Sequence, residues 1–277
     1  MIVDAHVHIW RATANYPNPS ATIVSPFSDV PIDLLADYMD EHFVSRAVLI
    51  QPLYPGEDNS YVADCAAAQP EKYAAVCIVD PAKAESPDRL EYWVKERGCK
   101  GLRLRPMIAD EESAFQSAAS LGLWERAAAL GIVVNIVARP QHIAAIGQRA
   151  EQFPTVPIIV DHMAHPHPDD GIHAESFRTL LNLAQFPNVF VKPTGYYYYS
   201  GQRYPYQDCW EHFRAVFEHF GAARLIWGSD FPHVLLRTGY RRSILMQERV
   251  FPFLTPADMA LMMGENALRL YWRDERR

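Results

Sequence analysis

Eight short runs rich in β-branched and small apolar residues, each followed by a stretch of helical period, constrain this chain more than any other feature. The runs are IVDAHVH (2–8), RAVLI (46–50), YAAVCIV (73–79), CKGLRL (99–104), IVVNIV (132–137), VPIIVDH (156–162), NVFVKPT (188–194) and RLIWGSD (224–230). In the first intervening segment, Leu35, Met39 and Phe43 recur four residues apart, as one buried helix face requires. Ser86 reads as an N-cap with Pro87 behind it, and Thr255 with Asp258 reads as a capping box enclosing Pro256. Glycine follows helical segments at Gly98, Gly131 and Gly221. Strands joined by helices run parallel, and eight such units in 277 residues predict a (β/α)8 TIM barrel. The class is α/β, and residues 1–277 are expected to form a single domain ending in closing helices. A doubly wound open sheet is the main rival, but it usually carries a glycine-rich phosphate turn after the first strand, and this sequence has none.

Composition narrows the partners. A net charge of −7 argues against nucleic acid or an anionic membrane. No apolar run reaches the roughly 18 residues a membrane span needs. The N-terminus lacks the basic and apolar regions of a signal peptide. Cys65, Cys77, Cys99 and Cys209 are scattered without a CxxC pair, which fits reduced thiols in a cytoplasmic protein.

Chemistry in such a barrel gathers at the C-terminal ends of the strands. In the first strand Asp4, His6 and His8 alternate with Val3, Ala5 and Val7, so a period of two puts the acid and both imidazoles on one face. The fourth strand ends at Arg103 and Arg105, the sixth at His162, the seventh at Lys192 and the eighth at Asp230. Singly, each has an ordinary explanation: a core histidine, a snorkelling lysine, a solvated arginine pair, a turn cap. Seven ionisable groups on one rim favour a site, because apolar strands rarely carry them unpaired. The run GYYYYSGQRYPYQ follows Lys192. Its tyrosines, Tyr196 first, suit an aromatic cover over the mouth or a subunit contact in a homo-oligomer. Trp10 and His233 are expected to line the mouth. His165, His167 and His173 lie in HPHPDDG and its flank, read as a solvated turn rather than a second metal site.

Six segments in order, HVHIW, GLRL, DHM, KPTG, WGSDFPH and ENALRLYW, resemble the amidohydrolase superfamily, in particular its branch of lactone hydrolases. That resemblance spans essentially the whole chain. It implies hydrolysis of a small anionic lactone at the barrel mouth, with Asp230 as general base. His6, His8 and His162 would polarise the carbonyl or, together with Asp230, hold one divalent ion, Zn²⁺ or Mn²⁺; no organic cofactor is implied. Arg103 matches arginines that bind substrate carboxylate, with Arg105, Lys192, Trp10, Tyr196 and His233 around it. Metal-dependent decarboxylation of an aromatic or muconate-like acid is the alternative within the superfamily. The sequence departs from the usual metal pattern at the fifth strand, IVVNIVA, which lacks a histidine, and at the fourth, which has arginines where binuclear relatives carry lysine. Catalysis with one ion and catalysis without any both remain open.

Overall fold

The computed structural model describes residues 1–13, 15, 27–52, 56–106, 115 and 117–273. Seven strands form one parallel sheet in sequential order: β1 (Ile2–Val7), β2 (Val44–Ile50), β3 (Tyr73–Ile78), β4 (Gly101–Leu104), β5 (Val133–Ile136), β6 (Ile158–Val160) and β7 (Val189–Val191). Helices α1 (Ile32–Glu41), α2 (Ser60–Ala68), α3 (Ser86–Lys95), α4 (Ala118–Leu130), α5 (Ile143–Gln152) and α6 (Glu175–Asn182) connect successive strands. After β7 come α7 (Trp210–Phe220) and α8 (Tyr240–Val250). The chain closes with α9 (Pro256–Ala260), a π-helical turn at Leu261–Glu265, and α10 (Asn266–Tyr271). Part of the expected fourth helical segment, residues 112–114 and 116, lies outside the described residues.

The expected eighth strand is not a ladder. Residues 225–231 meet β7 through a single bridge, Val191 to Leu225, and β1 through another, Val7 to Phe231. Since both sheet edges meet the same segment, the sheet curls around. Regular pairing fails there because Asp230 turns to a φ of +62° and the Trp227 amide donates to Met262 O rather than to a strand.

Strand β1 also departs from the expected alternation. Its pairing with β2 shifts between Asp4 and Val7, a bulge that breaks the strict alternation. Val3 and Ala5 pack with Val48, Val133, Ile159 and Ile226 in a cluster covered by Leu270 and Tyr271 of α10. Val7 belongs to the other cluster, between the sheet and its surrounding helices. The Asp4 carboxylate parts from the His6 and His8 imidazoles and accepts instead from the Tyr240 hydroxyl of α8 at 2.9 Å and from the His6 main-chain amide at 3.4 Å.

Helix signals hold with two adjustments. Phe43 lies past the end of α1 at a φ of +57° and is 86% exposed, so only Leu35 and Met39 of the expected face are buried. Thr255 and Asp258 cap α9 reciprocally, with Pro256 opening the helix. Gly131 ends α4 at a φ of +65°. Ser86 is the first residue of α3 rather than its cap, and its hydroxyl donates to Asp80 O instead. All four cysteines are free, three of them buried.

Candidate active site

Main-chain bonds lock the end of β1 against the Gly228–Phe231 turn. The Asp230 amide donates to His6 O at 2.8 Å, and the His8 amide to Phe231 O at 2.7 Å. Only glycine fits at 228, where a Cβ would lie 2.6 Å from His6 Cβ. Asp4 holds the turn from the far side, accepting from the Ser229 amide at 2.8 Å and the Tyr240 hydroxyl at 2.9 Å. Burial pushes the Asp4 carboxyl up to about 6 despite these donors. The side chains so placed converge. His6 Nε2 lies 3.3 Å from His8 Nε2, and Asp230 Oδ1 lies 3.6 and 3.3 Å from the two nitrogens.

His162 arrives on an unusual turn. Residues His162 to His165 all have φ between 52° and 58°, a region L-residues resist by about 1–2 kcal/mol each. The turn is held by the Met163 amide on Lys192 O (3.1 Å), by His162 Nδ1 against Thr194 Oγ1 (3.0 Å) and by His165 Nδ1 against Ala138 O (3.0 Å). His6, His162 and Asp230 each offer a ligand atom within 4.8 Å of the others.

Beneath them lies a buried ionic layer. Lys192 Nζ is 3.1 Å from Asp161 Oδ1, donates to Asn135 Oδ1 at 3.0 Å and lies 3.2 Å from His6 Nδ1. Asp161 Oδ1 is 3.4 Å from the same His6 nitrogen, and Tyr271 of α10 donates to Asn135 at 2.9 Å. Burial opposes the charge on Asp161, but Lys192 and His6 outweigh it and hold the carboxyl well below the usual range. Burial lowers the Lys192 ammonium and Asp161 restores part of that loss.

Desolvation drives all three imidazoles towards neutrality: His8 and His162 fall to about 4, and His6 falls well below its usual value. Asp230 is held well below the usual carboxylate range, since its bond to His8 and the neighbouring His162 and His6 outweigh burial. Neutral imidazoles beside a carboxylate are the donor set of a divalent ion. Tetrahedral arms of 2.0–2.1 Å subtend ligand separations of about 3.3–3.4 Å, close to the 3.3, 3.3 and 3.6 Å triangle of His6, His8 and Asp230. His8 Nδ1 contacts Ile50 O at 2.8 Å, a bond that leaves Nε2 with its lone pair. The residues fit one ion.

Other expected residues fall in distinct places. Arg103 is buried, donates to Gln51 O at 3.1 Å, and its charge acts on His8 and His162. Arg105 is half-buried just past β4. Trp10 is buried and stacks with His233, whose ring lies 5.7 Å from His8. Lys192 is not at the rim but sealed below His6, since its ammonium is satisfied by Asp161 and Asn135. Tyr196 turns inward, with its ring stacked near Tyr206, while Tyr197 and Tyr198 each donate to Asp230 Oδ2 at 2.6 Å. His167 and His173 are exposed as expected of a solvated turn, whereas His165 is half-buried with its ring 5.3 Å from His162. Sequence reasoning missed Asp161 and Asn135. Each carried a signal: an acid directly before His162, and a lone amide inside IVVNIV.

The amidohydrolase family profile matches residues 3–273. The chain is similar to an L-fucono-1,5-lactonase of Burkholderia ambifaria, with 28% identity over 97% of this chain and 94% of that protein. A crystal structure of a probable 2-pyrone-4,6-dicarboxylic acid hydrolase from Acinetobacter baumannii, with citric acid bound, shares the fold at a TM-score of 0.82 and 19% identity, covering 98% and 99% of the two chains. A zinc-bound amidohydrolase from Burkholderia multivorans aligns at 0.80 and 22%, covering 98% and 99%. With its profile matched almost end to end and its curled parallel sheet shared by these structures, this chain belongs to the amidohydrolase family.

Proposed function

We propose that this protein is a hydrolase that opens the ester bond of a small carboxylate-bearing lactone with water activated by Asp230. The observation that carries the reading is the triangle of His6 Nε2, His8 Nε2 and Asp230 Oδ1, with sides of 3.3 to 3.6 Å, beside the buried cation of Arg103. Similarity to the lactonase of Burkholderia ambifaria supports the reaction class. In the same reading residues 225–231 complete an eight-stranded barrel, residues 1–277 act as one domain, and the free buried thiols suit the cytoplasm.

A divalent ion, Zn²⁺ or Mn²⁺, held by His6, His8, His162 and Asp230 would polarise the carbonyl and acidify the attacking water. The chain's own groups do the rest. Asp230 receives a proton from water. Arg103 binds the substrate carboxylate through a charge-assisted pair, with Arg105 next along the chain. Trp10 and His233 wall the opening and shield the reacting bond from bulk water. His162 has two settings: with Thr194 donating to Nδ1 it presents Nε2–H to a carbonyl oxygen, and with the bond reversed it presents a lone pair to a cation.

A panel of lactones followed with a pH indicator, with metal content measured on the same preparation, tests this. Carboxylate-bearing lactones should open faster than neutral ones of the same ring size. Chelation that abolishes activity, with rescue by one equivalent of Zn²⁺ or Mn²⁺, assigns His6 and His8 to the ion; full activity after exhaustive chelation assigns them to the carbonyl. Release of CO₂ from an aromatic acid, with no lactone opened, overturns the reading.

A further inference from the structure

Hydrolysis of a lactone moves two protons: one leaves the attacking water and one reaches the ring oxygen as the C–O bond breaks. Asp230 divides its oxygens between two kinds of neighbour. Oδ1 faces His6 and His8, while Oδ2 accepts from the Tyr197 and Tyr198 hydroxyls at 2.6 Å each. The tyrosines owe this to a local turn. Gly195, at a φ of +68°, starts a 3₁₀ turn over Tyr196–Tyr198, and side chains on such a turn fan out by about a third of a revolution each. Tyr196 packs into the core, while the Tyr197 and Tyr198 rings, 4.6 Å apart, both reach the carboxylate.

The two phenols are not equivalent. Tyr197 is half-buried, whereas Tyr198 is 47% exposed and stands against the rings of His162 (5.5 Å) and His165 (5.7 Å). Tyr198 thus touches the carboxylate with its hydroxyl while one side of it stays open to an incoming molecule.

We propose that Tyr198 is the proton relay between Asp230 and the leaving oxygen, an inference that rests on the hydrolase reading above. In the resting state its O–H donates to Asp230 Oδ2. Water oxygen bonds to the carbonyl carbon and gives one proton to Asp230. When the tetrahedral adduct collapses, the bond from that carbon to the ring oxygen breaks and its electron pair stays on the ring oxygen. Tyr198 passes its phenolic proton to that oxygen and is reprotonated from Asp230 across the same short contact. The sum is one water added across one ester bond, with Asp230 and Tyr198 restored. Tyr197 keeps Oδ2 oriented and takes no part in the transfer.

The test compares two lactones of equal ring size and charge, one releasing an alkoxide and one a stabilised enolate. Without its acid, an enzyme loses most on the poorer leaving group. In Tyr198→Phe, kcat on the alkoxide lactone should fall ~100-fold, and that loss should exceed the loss on the enol lactone by at least ~30-fold. Tyr197→Phe should reduce both by one common factor. Equal losses in Tyr198→Phe, no loss, or a leaving-group split in Tyr197→Phe instead would each overturn the relay. An unchanged melting temperature of Tyr198→Phe assigns the effect to chemistry, and a collapsed one assigns the tyrosine to structure and also overturns it. Both lactones are drawn from those the wild type opens in the panel, and a wild type that opens none of the panel refutes the hydrolase reading, with which the relay falls.

Discussion

Single residues at the centre differ in how far the sequence revealed them. His6, His8, His162 and Asp230 were legible because ionisable groups at the ends of apolar runs are costly without a role. Lys192 was found but misplaced: a lysine in VFVKPTG looks identical in sequence whether it reaches solvent or a buried carboxylate, and its partner Asp161 comes from another strand. Tyr197 and Tyr198 were hidden inside a run of four tyrosines, where only the turn at Gly195 decides which of them points at Asp230. Arg103→Met should raise KM for a carboxylate-bearing lactone roughly 10- to 150-fold, the loss of a charged pair worth ~1.5–3 kcal/mol, with a smaller change in kcat. Steady-state kinetics check it, and an unchanged KM removes Arg103 from carboxylate binding.

Elements depend on contacts that periodicity does not report. The helix pattern and the sequential parallel strands followed from spacing and caps, but the bulge in β1 and the broken eighth strand did not, because they rest on contacts between segments far apart in the chain: the Gly228 backbone against His6, and the Trp227 amide on Met262 O. Gly228→Ala should therefore cost ~1–3 kcal/mol through overpacking and displace His6, reducing activity well beyond its effect on stability. Urea unfolding paired with kinetics separates the two, and a fully active variant would show the approach to be loose. The ion pair joining β7 to the end of β6 gives a second test. Lys192→Met alone should destabilise by ~3–5 kcal/mol, since it strands a buried carboxylate. Adding Asp161→Leu should recover part of that loss, whereas strictly additive losses would mean that the two groups do not act as a pair.

For the whole molecule, three buried imidazoles tie stability to pH in the chelator-treated protein. His8 and His162 titrate near 4 when folded and near 6.5 when unfolded. Below pH 6.5 the unfolded chain binds protons that the folded chain refuses, so stability falls until the folded values are reached. By pH 5 the loss is roughly 2 kcal/mol for each of the two, with His6 adding to it in the same direction. Asp4, raised to about 6, opposes this, because acidification removes its buried charge, but between pH 6 and 5 that returns only about 1 kcal/mol. Urea midpoints should therefore drop from pH 7 to 5, and a flat profile would contradict the burial of these rings. Asp230 is the group on which the hydrolysis depends. The most direct measurement is kcat/KM of wild type and Asp230→Asn on a carboxylate-bearing lactone that the wild type opens, with both proteins shown to be folded. Loss of the base should cut the value by well over tenfold, and a variant that keeps more than about a tenth of it, a loss under ~1.4 kcal/mol, would contradict the assignment.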